Sequence, residues 1–146
     1  MRTGLTDLFP MTGAAGIHAG PQPGPTVLLV DDEREALAAL EEVLVGLGYR
    51  VTTAANGAEA FSKATAARPD IVVTDLLMPV VDGIGLAKSL RSDPLTMHTR
   101  IVLCSGVEEG RVRVLFDRYD AFLRKPYAFE ELLQAIGSCV GVPAAR

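Results

Sequence analysis

The sequence has no tryptophan, only two cysteines and few aromatic side chains. Aromatic residues make up 5% of the 146 positions. Cys104 and Cys139 do not have the spacing of a metal site or a disulfide framework. Cys104 lies in an apolar run, where we expect it to be a small core residue. These features favour a reducing, cytoplasmic setting over a secreted, disulfide-stabilised one.

Long apolar runs and an excess of positive charge are also absent. No run approaches the ~20 apolar residues of a membrane-spanning helix. Residues 1–9 lack the basic start and apolar core of a signal peptide. The formal net charge is −4, so the basic footprint of a nucleic-acid-binding protein is missing. We therefore expect no membrane span and no direct contact with nucleic acid.

The composition is that of one globular domain with short extensions, since 49% of the residues are hydrophobic and 22% are charged. Residues 1–25 are interrupted by glycine and proline, which predicts a flexible N-terminal leader. His18 lies in that leader, where we expect a solvated loop histidine. We assign residues 26–140 to the domain and residues 141–146 to a short C-terminal tail.

Short apolar runs alternate with amphipathic stretches throughout the predicted domain. The apolar runs predict strands at residues 26–30, 50–54, 71–74, 101–104 and 121–123. The amphipathic stretches predict helices at residues 33–47, 58–67, 83–90, 108–118 and 129–140. Five strand–helix units predict an α/β fold, a doubly wound five-stranded parallel sheet with helices on both faces. Of the two common strand orders, we expect the flavodoxin-like order 2-1-3-4-5.

Polar side chains follow four of the five predicted strands. Asp31 and Asp32 follow the first strand, Asp75 the third, Ser105 the fourth and Lys125 the fifth. In the order 2-1-3-4-5 these four strands are neighbours, so their carboxyl ends meet at one crevice. Such crevices are where open α/β sheets bind ligands.

The residue types at this crevice predict magnesium-dependent phosphoryl chemistry. Three crowded carboxylates repel one another and favour a bound cation. Mg²⁺ prefers oxygen ligands and completes its shell with phosphate oxygens. A lysine and a hydroxyl can form charge-assisted hydrogen bonds with the remaining phosphoryl oxygens. An aspartate is also a suitable nucleophile towards phosphorus.

Each residue also has a simpler interpretation. Asp31 or Asp32 could cap the following helix. Asp75, Ser105 and Lys125 could be ordinary turn or loop residues, as we expect for Asp82. These interpretations do not explain why all four sites fall at adjoining strand ends, and we therefore favour the phosphoryl site.

The stretches VLLVDDE, VVTDLLMPVVDG, VLCSG and FLRKPY occur in this order over roughly residues 26–140. Together they resemble the receiver domain of bacterial two-component response regulators. The resemblance implies that Asp75 is the phosphoacceptor and that Asp32 is a direct Mg²⁺ ligand. It also implies that Asp31 assists, often through water, and that the backbone carbonyl of Leu77 is a further ligand.

The resemblance assigns roles to the other strand ends as well. Ser105 takes the position of the switch hydroxyl, Lys125 pairs with the phosphoryl group, and Phe122 takes the aromatic switch position without the hydroxyl of a tyrosine. The peptide bond before Pro126 is expected to be cis. Residues 118–120 replace the small-residue turn that usually precedes the fifth strand, so the fourth helix is the element whose bounds the sequence determines least.

Two apolar residues flank the expected path of the water that removes the phosphoryl group. In the family these positions lie two residues past the phosphoacceptor and two past the switch hydroxyl. Here they are Leu77 and Val107, which predicts a comparatively long-lived phosphoryl group.

The function implied by the resemblance is that of a single-domain response regulator. A histidine kinase or histidine phosphotransfer protein would donate the phosphoryl group, and an unidentified downstream protein would recognise the changed surface. We expect no effector domain after the last helix. The fourth helix, fifth strand and fifth helix are expected to form the output surface, which could also support a homodimer. The exposed residues predicted to contact the partner there are Arg111, Arg113, Arg118 and Tyr127.

Three other functions remain open at this point. The domain could be a relay intermediate or phosphate sink with no output of its own. A phosphohydrolase of the haloacid dehalogenase type is disfavoured because Leu77 stands where such enzymes carry a second aspartate. A flavodoxin-type flavin carrier is disfavoured because no phosphate-binding loop follows the first strand. We expect a signalling phosphoacceptor, with enzymatic activity limited to its own phosphorylation and dephosphorylation.

Overall fold

The computed structural model describes residues 23–78 and 81–143. Its five parallel strands are β1 (Thr26–Val30), β2 (Arg50–Ala54), β3 (Ile71–Asp75), β4 (Arg100–Ser105) and β5 (Ala121–Arg124). They pair in the order β2-β1-β3-β4-β5, which confirms the predicted topology. The central strands consist almost entirely of buried residues because helices cover both faces of the sheet.

Five helices complete the two layers around the sheet. They are α1 (Arg34–Gly46), α2 (Gly57–Ala67), α3 (Gly83–Ser92), α4 (Glu109–Leu115) and α5 (Phe129–Val140). Alternate strand residues point to opposite faces. Leu28 and Val72 pack in a core cluster with residues of α2, α3 and α4, whereas Val27 and Val73 pack in one with residues of α1 and α5. Within the described ranges, no helix is long and apolar enough to cross a bilayer.

The fourth helix is shorter than the predicted 108–118 segment. It ends at Leu115, after which Phe116 has an extended backbone (φ −163°, ψ 129°) and a buried side chain. Leu115 itself is 63% exposed, whereas Val112 and Phe116 are buried. Long-range contacts explain the early end, because the Asp120 amide donates to the Ile101 carbonyl of β4 and the Asp120 carboxylate accepts from the Ile101 amide, which holds the connecting segment extended.

The folded unit begins before the predicted boundary at residue 26. The carbonyl of Pro25 accepts a hydrogen bond from the Arg50 amide at 3.0 Å, and that of Gly24 accepts one from Arg50 Nε at 3.1 Å. Gly24 is buried, and a Cβ at this position would overlap the carbonyl of Gly48. These two residues therefore pack with the domain, while His18 and the other residues of segment 1–22 of the predicted leader lie outside the described residues.

Candidate functional site

Strand register aligns the four polar strand ends. Val30 of β1 pairs with Thr74 of β3, so the residues that follow them, Asp31 and Asp75, are neighbours. Asp75 in turn pairs with Cys104, one residue before Ser105. Ser105 pairs with Arg124, one residue before Lys125. The parallel ladders therefore bring all the predicted strand-end residues to one edge of the sheet, as the sequence predicted.

The three aspartates form a compact group of oxygen donors. Asp31, Asp32 and Asp75 each offer a carboxylate oxygen, and these atoms lie within 4.8 Å of one another. An all-oxygen set with several negative charges fits Mg²⁺, which takes one or two carboxylates and keeps room for water and phosphate. The contribution of the Leu77 carbonyl to this set remains a prediction.

The structure does not support a helix-capping role for Asp31 or Asp32. The N-cap residue of α1 is Glu33, and its own side chain makes no capping hydrogen bond. Asp31 Oδ1 accepts a hydrogen bond from the Glu33 amide at 3.0 Å, which orients that carboxylate beside the other two. Asp82, in contrast, caps α3 by accepting from the Gly85 amide at 2.8 Å.

Asp75 and Lys125 form an ion pair inside this crevice. Lys125 Nζ lies 2.5 Å from Asp75 Oδ1, and the aspartate side chain is only 13% exposed. The pKa of Asp75 is raised to about 6, because burial and the charge of Asp31 outweigh the lowering effect of the Lys125 hydrogen bond. Burial opposes the charge of Lys125, but its bond to Asp75 still raises the lysine pKa overall. A divalent cation would favour the ionised form of Asp75.

Ser105 holds the turn that leads from β4 into α4. Its side chain is buried, and its Oγ accepts a hydrogen bond from the Val107 amide at 2.9 Å. Phe122 is half-buried on the neighbouring strand and packs against the cluster that contains Val112 and Phe116. The Lys125–Pro126 peptide bond is cis, as the resemblance implied.

Gly83 packs closely against the end of β3, where Asp75 lies. The Gly83 amide donates to the Leu76 carbonyl at 2.8 Å, and a Cβ on Gly83 would overlap the Asp75 carbonyl oxygen. Only glycine therefore allows the first turn of α3 to approach the end of β3 this closely.

Tyr127 is not the exposed partner residue that the sequence suggested. It is half-buried and lines a cavity of about 20 Å³ together with Cys104, Asp31 and Asp75. Burial raises the pKa of the Cys104 thiol to about 12, which suits the core role expected for this cysteine. The three arginines of the predicted output surface are exposed as expected: Arg111, Arg113 and Arg118.

Sequence reasoning also missed the contacts made by Tyr119 and Asp120. Asp120 Oδ2 accepts from the Ile101 amide at 2.8 Å and pairs with Arg91 at 2.9 Å. Tyr119 donates its hydroxyl proton to Glu109. The unusual residues 118–120 before β5 were the only signal in the sequence that could have pointed to them.

A family model for the response regulator receiver domain matches residues 27–137. This chain belongs to that family. The receiver domain is 38% identical over 112 residues to the transcriptional regulatory protein PrrA of Mycobacterium leprae, a match that covers 77% of this chain and 48% of that protein. The chain thus spans about half the length of the curated relatives it matches.

Solved receiver structures superpose on the same region. The chemotaxis protein CheY4 of Vibrio cholerae is 30% identical, with a TM-score of 0.74 over 79% of this chain and 98% of that one. The receiver domain of the sensor histidine kinase PA1611 from Pseudomonas aeruginosa, solved with a magnesium ion in its active site cleft, is 28% identical. Its TM-score is 0.72, over 80% of this chain and 98% of that one. Receiver domains are signalling phosphoacceptors that bind Mg²⁺ at an acidic pocket and interact with histidine kinases or phosphotransfer proteins.

Proposed function

We propose that this receiver domain is a phosphorylation switch in which Asp75 accepts a phosphoryl group from a phosphohistidine donor. Asp31, Asp32, Asp75 and the backbone carbonyl of Leu77 would hold Mg²⁺. The observation that carries the proposal is the Asp75–Lys125 ion pair inside a cluster of three carboxylates at the edge of the sheet. The described residues include Asp75, the acid cluster, Ser105, Phe122 and Lys125, which are the residues that the proposed reaction and switch would use.

In the proposed reaction, a carboxylate oxygen of Asp75 attacks the phosphorus atom while the bond from phosphorus to the histidine nitrogen breaks. The products are an acyl phosphate on Asp75 and a neutral histidine on the donor. The bound Mg²⁺ would offset the negative charge that gathers on the phosphoryl oxygens. Lys125, already beside Asp75, would exchange its ion pair for a charge-assisted hydrogen bond to a phosphoryl oxygen.

The proposed output begins at Ser105. Its hydroxyl now accepts from the Val107 amide and can instead donate to a phosphoryl oxygen. Loss of the Val107 contact would free the turn before α4, and Phe122 could turn inwards into the space that Ser105 leaves. The signal would reach α4, β5 and α5, where the three exposed arginines Arg111, Arg113 and Arg118 can contact a downstream protein or a second copy.

A cytoplasmic setting is part of this proposal. Cys104 and Cys139 are both free thiols, which suits a reducing compartment.

A relay intermediate or phosphate sink would use the same acceptor chemistry without a surface change. The response of α4 and β5 to phosphorylation distinguishes such a carrier from a switch.

Intact-protein mass measurement tests the acceptor. After incubation with acetyl phosphate and Mg²⁺, the parent protein should gain one phosphoryl group, and omission of Mg²⁺ should prevent the gain. Asp75→Asn should gain none. Asp82→Asn is the matched control, because its amide oxygen can still cap α3, and it should be phosphorylated like the parent. A phosphoryl adduct that persists in Asp75→Asn would falsify the assignment.

A further inference from the structure

A tyrosine ties the start of α4 to the segment that enters β5. The Tyr119 hydroxyl donates a hydrogen bond to Glu109 Oε2 at 2.6 Å. Glu109 lies in the first turn of α4, and Tyr119 lies between the end of α4 and the start of β5. The bond therefore spans the whole short helix and fixes its first turn relative to the sheet.

The same tyrosine contacts the predicted aromatic switch. The ring centroids of Tyr119 and Phe122 are 6.0 Å apart at an interplanar angle of 51°, a tilted arrangement. Both rings are partly buried against the core cluster that contains Val112 and Phe116. Inward rotation of Phe122 would therefore change its contact with the Tyr119 ring.

The Tyr119 hydroxyl keeps its proton at physiological pH and can donate this hydrogen bond. Burial, together with the hydrogen bond to the Glu109 carboxylate, raises the pKa of Tyr119 to about 12. Arg113 also pairs with Glu109 Oε2, at 2.8 Å, but this pair lies at the exposed surface. Exposed pairs of this kind contribute little to stability, whereas hydrogen bonds to charged acceptors are among the stronger ones.

Two contacts hold the segment between Ser105 and Glu109 in its present position. The Ser105 hydroxyl binds the Val107 amide at 2.9 Å, and Arg124 Nε binds the Gly106 carbonyl at 2.8 Å. If Ser105 turns to a phosphoryl group, the first of these contacts is lost. Glu109, only two residues beyond Val107, stays fixed by Tyr119.

We propose that Tyr119 is a latch, a positioning residue whose hydrogen bond to Glu109 stabilises the resting position of α4 and opposes the phosphorylated arrangement. The inference rests on the proposed function, since it assigns a regulator to that same switch. A contact made only in the resting state reduces the population of the active state. By linkage, it also weakens binding of any ligand that prefers the active state.

The test compares the affinity of variants for beryllofluoride, a phosphoryl mimic, in the presence of Mg²⁺. Tyr119→Phe keeps the ring beside Phe122 and removes only the hydroxyl. Its apparent Kd should be about fivefold lower than that of the parent, equivalent to about 1 kcal/mol. Amide signals of α4 and β5 should reach their bound positions at correspondingly lower beryllofluoride concentrations in an NMR titration.

Two further variants separate the latch from a general structural effect. Lys63→Gln removes the exposed partner of Glu59, an ion pair of the same i, i+4 spacing on α2, and its Kd should stay within about twofold of the parent. In a Glu109→Ala background the hydrogen bond is already lost, so adding Tyr119→Phe should leave the Kd unchanged. The latch is rejected if the single Tyr119→Phe variant binds beryllofluoride with the Kd of the parent. It is also rejected if Tyr119→Phe lowers the Kd by the same factor in the Glu109→Ala background as in the parent.

The outcome for the parent distinguishes the two proposals. A parent protein that binds beryllofluoride with Mg²⁺, combined with an unchanged Kd in Tyr119→Phe, rejects the latch and leaves the phosphorylation switch standing. A parent protein that fails to bind rejects the switch and the latch together. Thermal unfolding of each variant checks that the comparison is between folded proteins.

Discussion

At the scale of single residues, the Asp75 carboxyl occupies a position where its own charge is unfavourable. Its folded-state pKa of about 6 lies above the ordinary value of 3.8, chiefly because of burial. The folded protein therefore binds a proton more tightly than the unfolded chain does. In the absence of metal, this group favours folding below about pH 4, and that contribution is lost as the pH rises to about 6.

Replacing this carboxyl with an amide should stabilise the metal-free protein. At pH 7 in EDTA, Asp75→Asn should raise the free energy of unfolding by about 1–3 kcal/mol, because each unit by which the Asp75 pKa is raised corresponds to about 1.4 kcal/mol. At pH 3.5 the two proteins should have equal stability. Urea unfolding at the two pH values measures this, and a variant less stable than the parent at pH 7 would contradict it.

The lifetime of the phosphoryl group is also a property of single residues. Leu77 is exposed and Val107 is partly packed against the core, and neither can orient an attacking water. The double variant Leu77→Asn, Val107→Glu should lose its phosphoryl group roughly tenfold faster or more, since positioned polar groups contribute up to about 10²–10⁴ in rate. Leu77→Asn alone is the control that leaves the core untouched. Equal rates of phosphate release in parent and double variant would count against the prediction.

At the scale of elements, one arginine joins α3, β4 and the segment before β5. The Arg91 side chain is only 10% exposed and pairs with Asp120. It also donates to the carbonyls of Arg118 and Thr99 at 2.9 and 2.5 Å. These contacts lie at the end of β4 opposite Ser105 and hold that end in place.

Removing the Arg91 side chain should therefore destabilise the fold far more than removing the exposed side chain of Arg100. Arg91→Met should lower the free energy of unfolding by about 2–4 kcal/mol, because it leaves a partly buried carboxylate and several carbonyls without their donor. Arg100 pairs with the same Asp120 but is 54% exposed, so Arg100→Gln should cost less than about 0.5 kcal/mol. Urea unfolding of the two variants makes the comparison, and similar losses would show that burial does not distinguish the two pairs.

The elements that the sequence predicted best are those controlled by local pattern. The buried strands read as continuous apolar runs, so their positions in the chain and the polar residues that directly follow them could be predicted. Asp75, Ser105 and Lys125 meet because parallel register leaves little freedom in where each strand ends. The resemblance to receiver domains then assigned roles that no periodic pattern contains.

The elements that the sequence predicted poorly depend on distant partners. Helical spacing continued past Leu115, yet α4 ends there because Asp120 binds β4. Tyr127 follows a polar turn and looks exposed, yet the fold places it beside Cys104 of another strand. In both places a contact between elements far apart in the chain outweighed a local preference.

At the scale of the whole molecule, the described domain contains its own core and should fold without the residues that precede it. Deleting residues 1–22 should lower the Tm by less than about 5 °C, which corresponds to roughly 1 kcal/mol for a domain of this size. Deleting residues 1–25 should cost more, because the contacts of Gly24 and Pro25 with Arg50 are then lost. Thermal unfolding of the two truncations measures the difference, and a large loss from the shorter deletion would mean that the leader stabilises the domain.

The position of Cys104 gives this molecule a built-in chemical reporter. Its buried thiol lines the small cavity beside Asp75 and has a pKa raised to about 12, while Cys139 is half-buried on α5. A thiol reagent reaches a buried cysteine only while the surrounding structure is open, so the labelling rate measures how often opening occurs. Cys139 should react first, and Cys104 should react at a rate that falls when Mg²⁺ and beryllofluoride occupy the crevice in front of it. Mass spectrometry of the labelled protein therefore measures how often the structure around Cys104 and Asp75 opens, without a probe added to the protein.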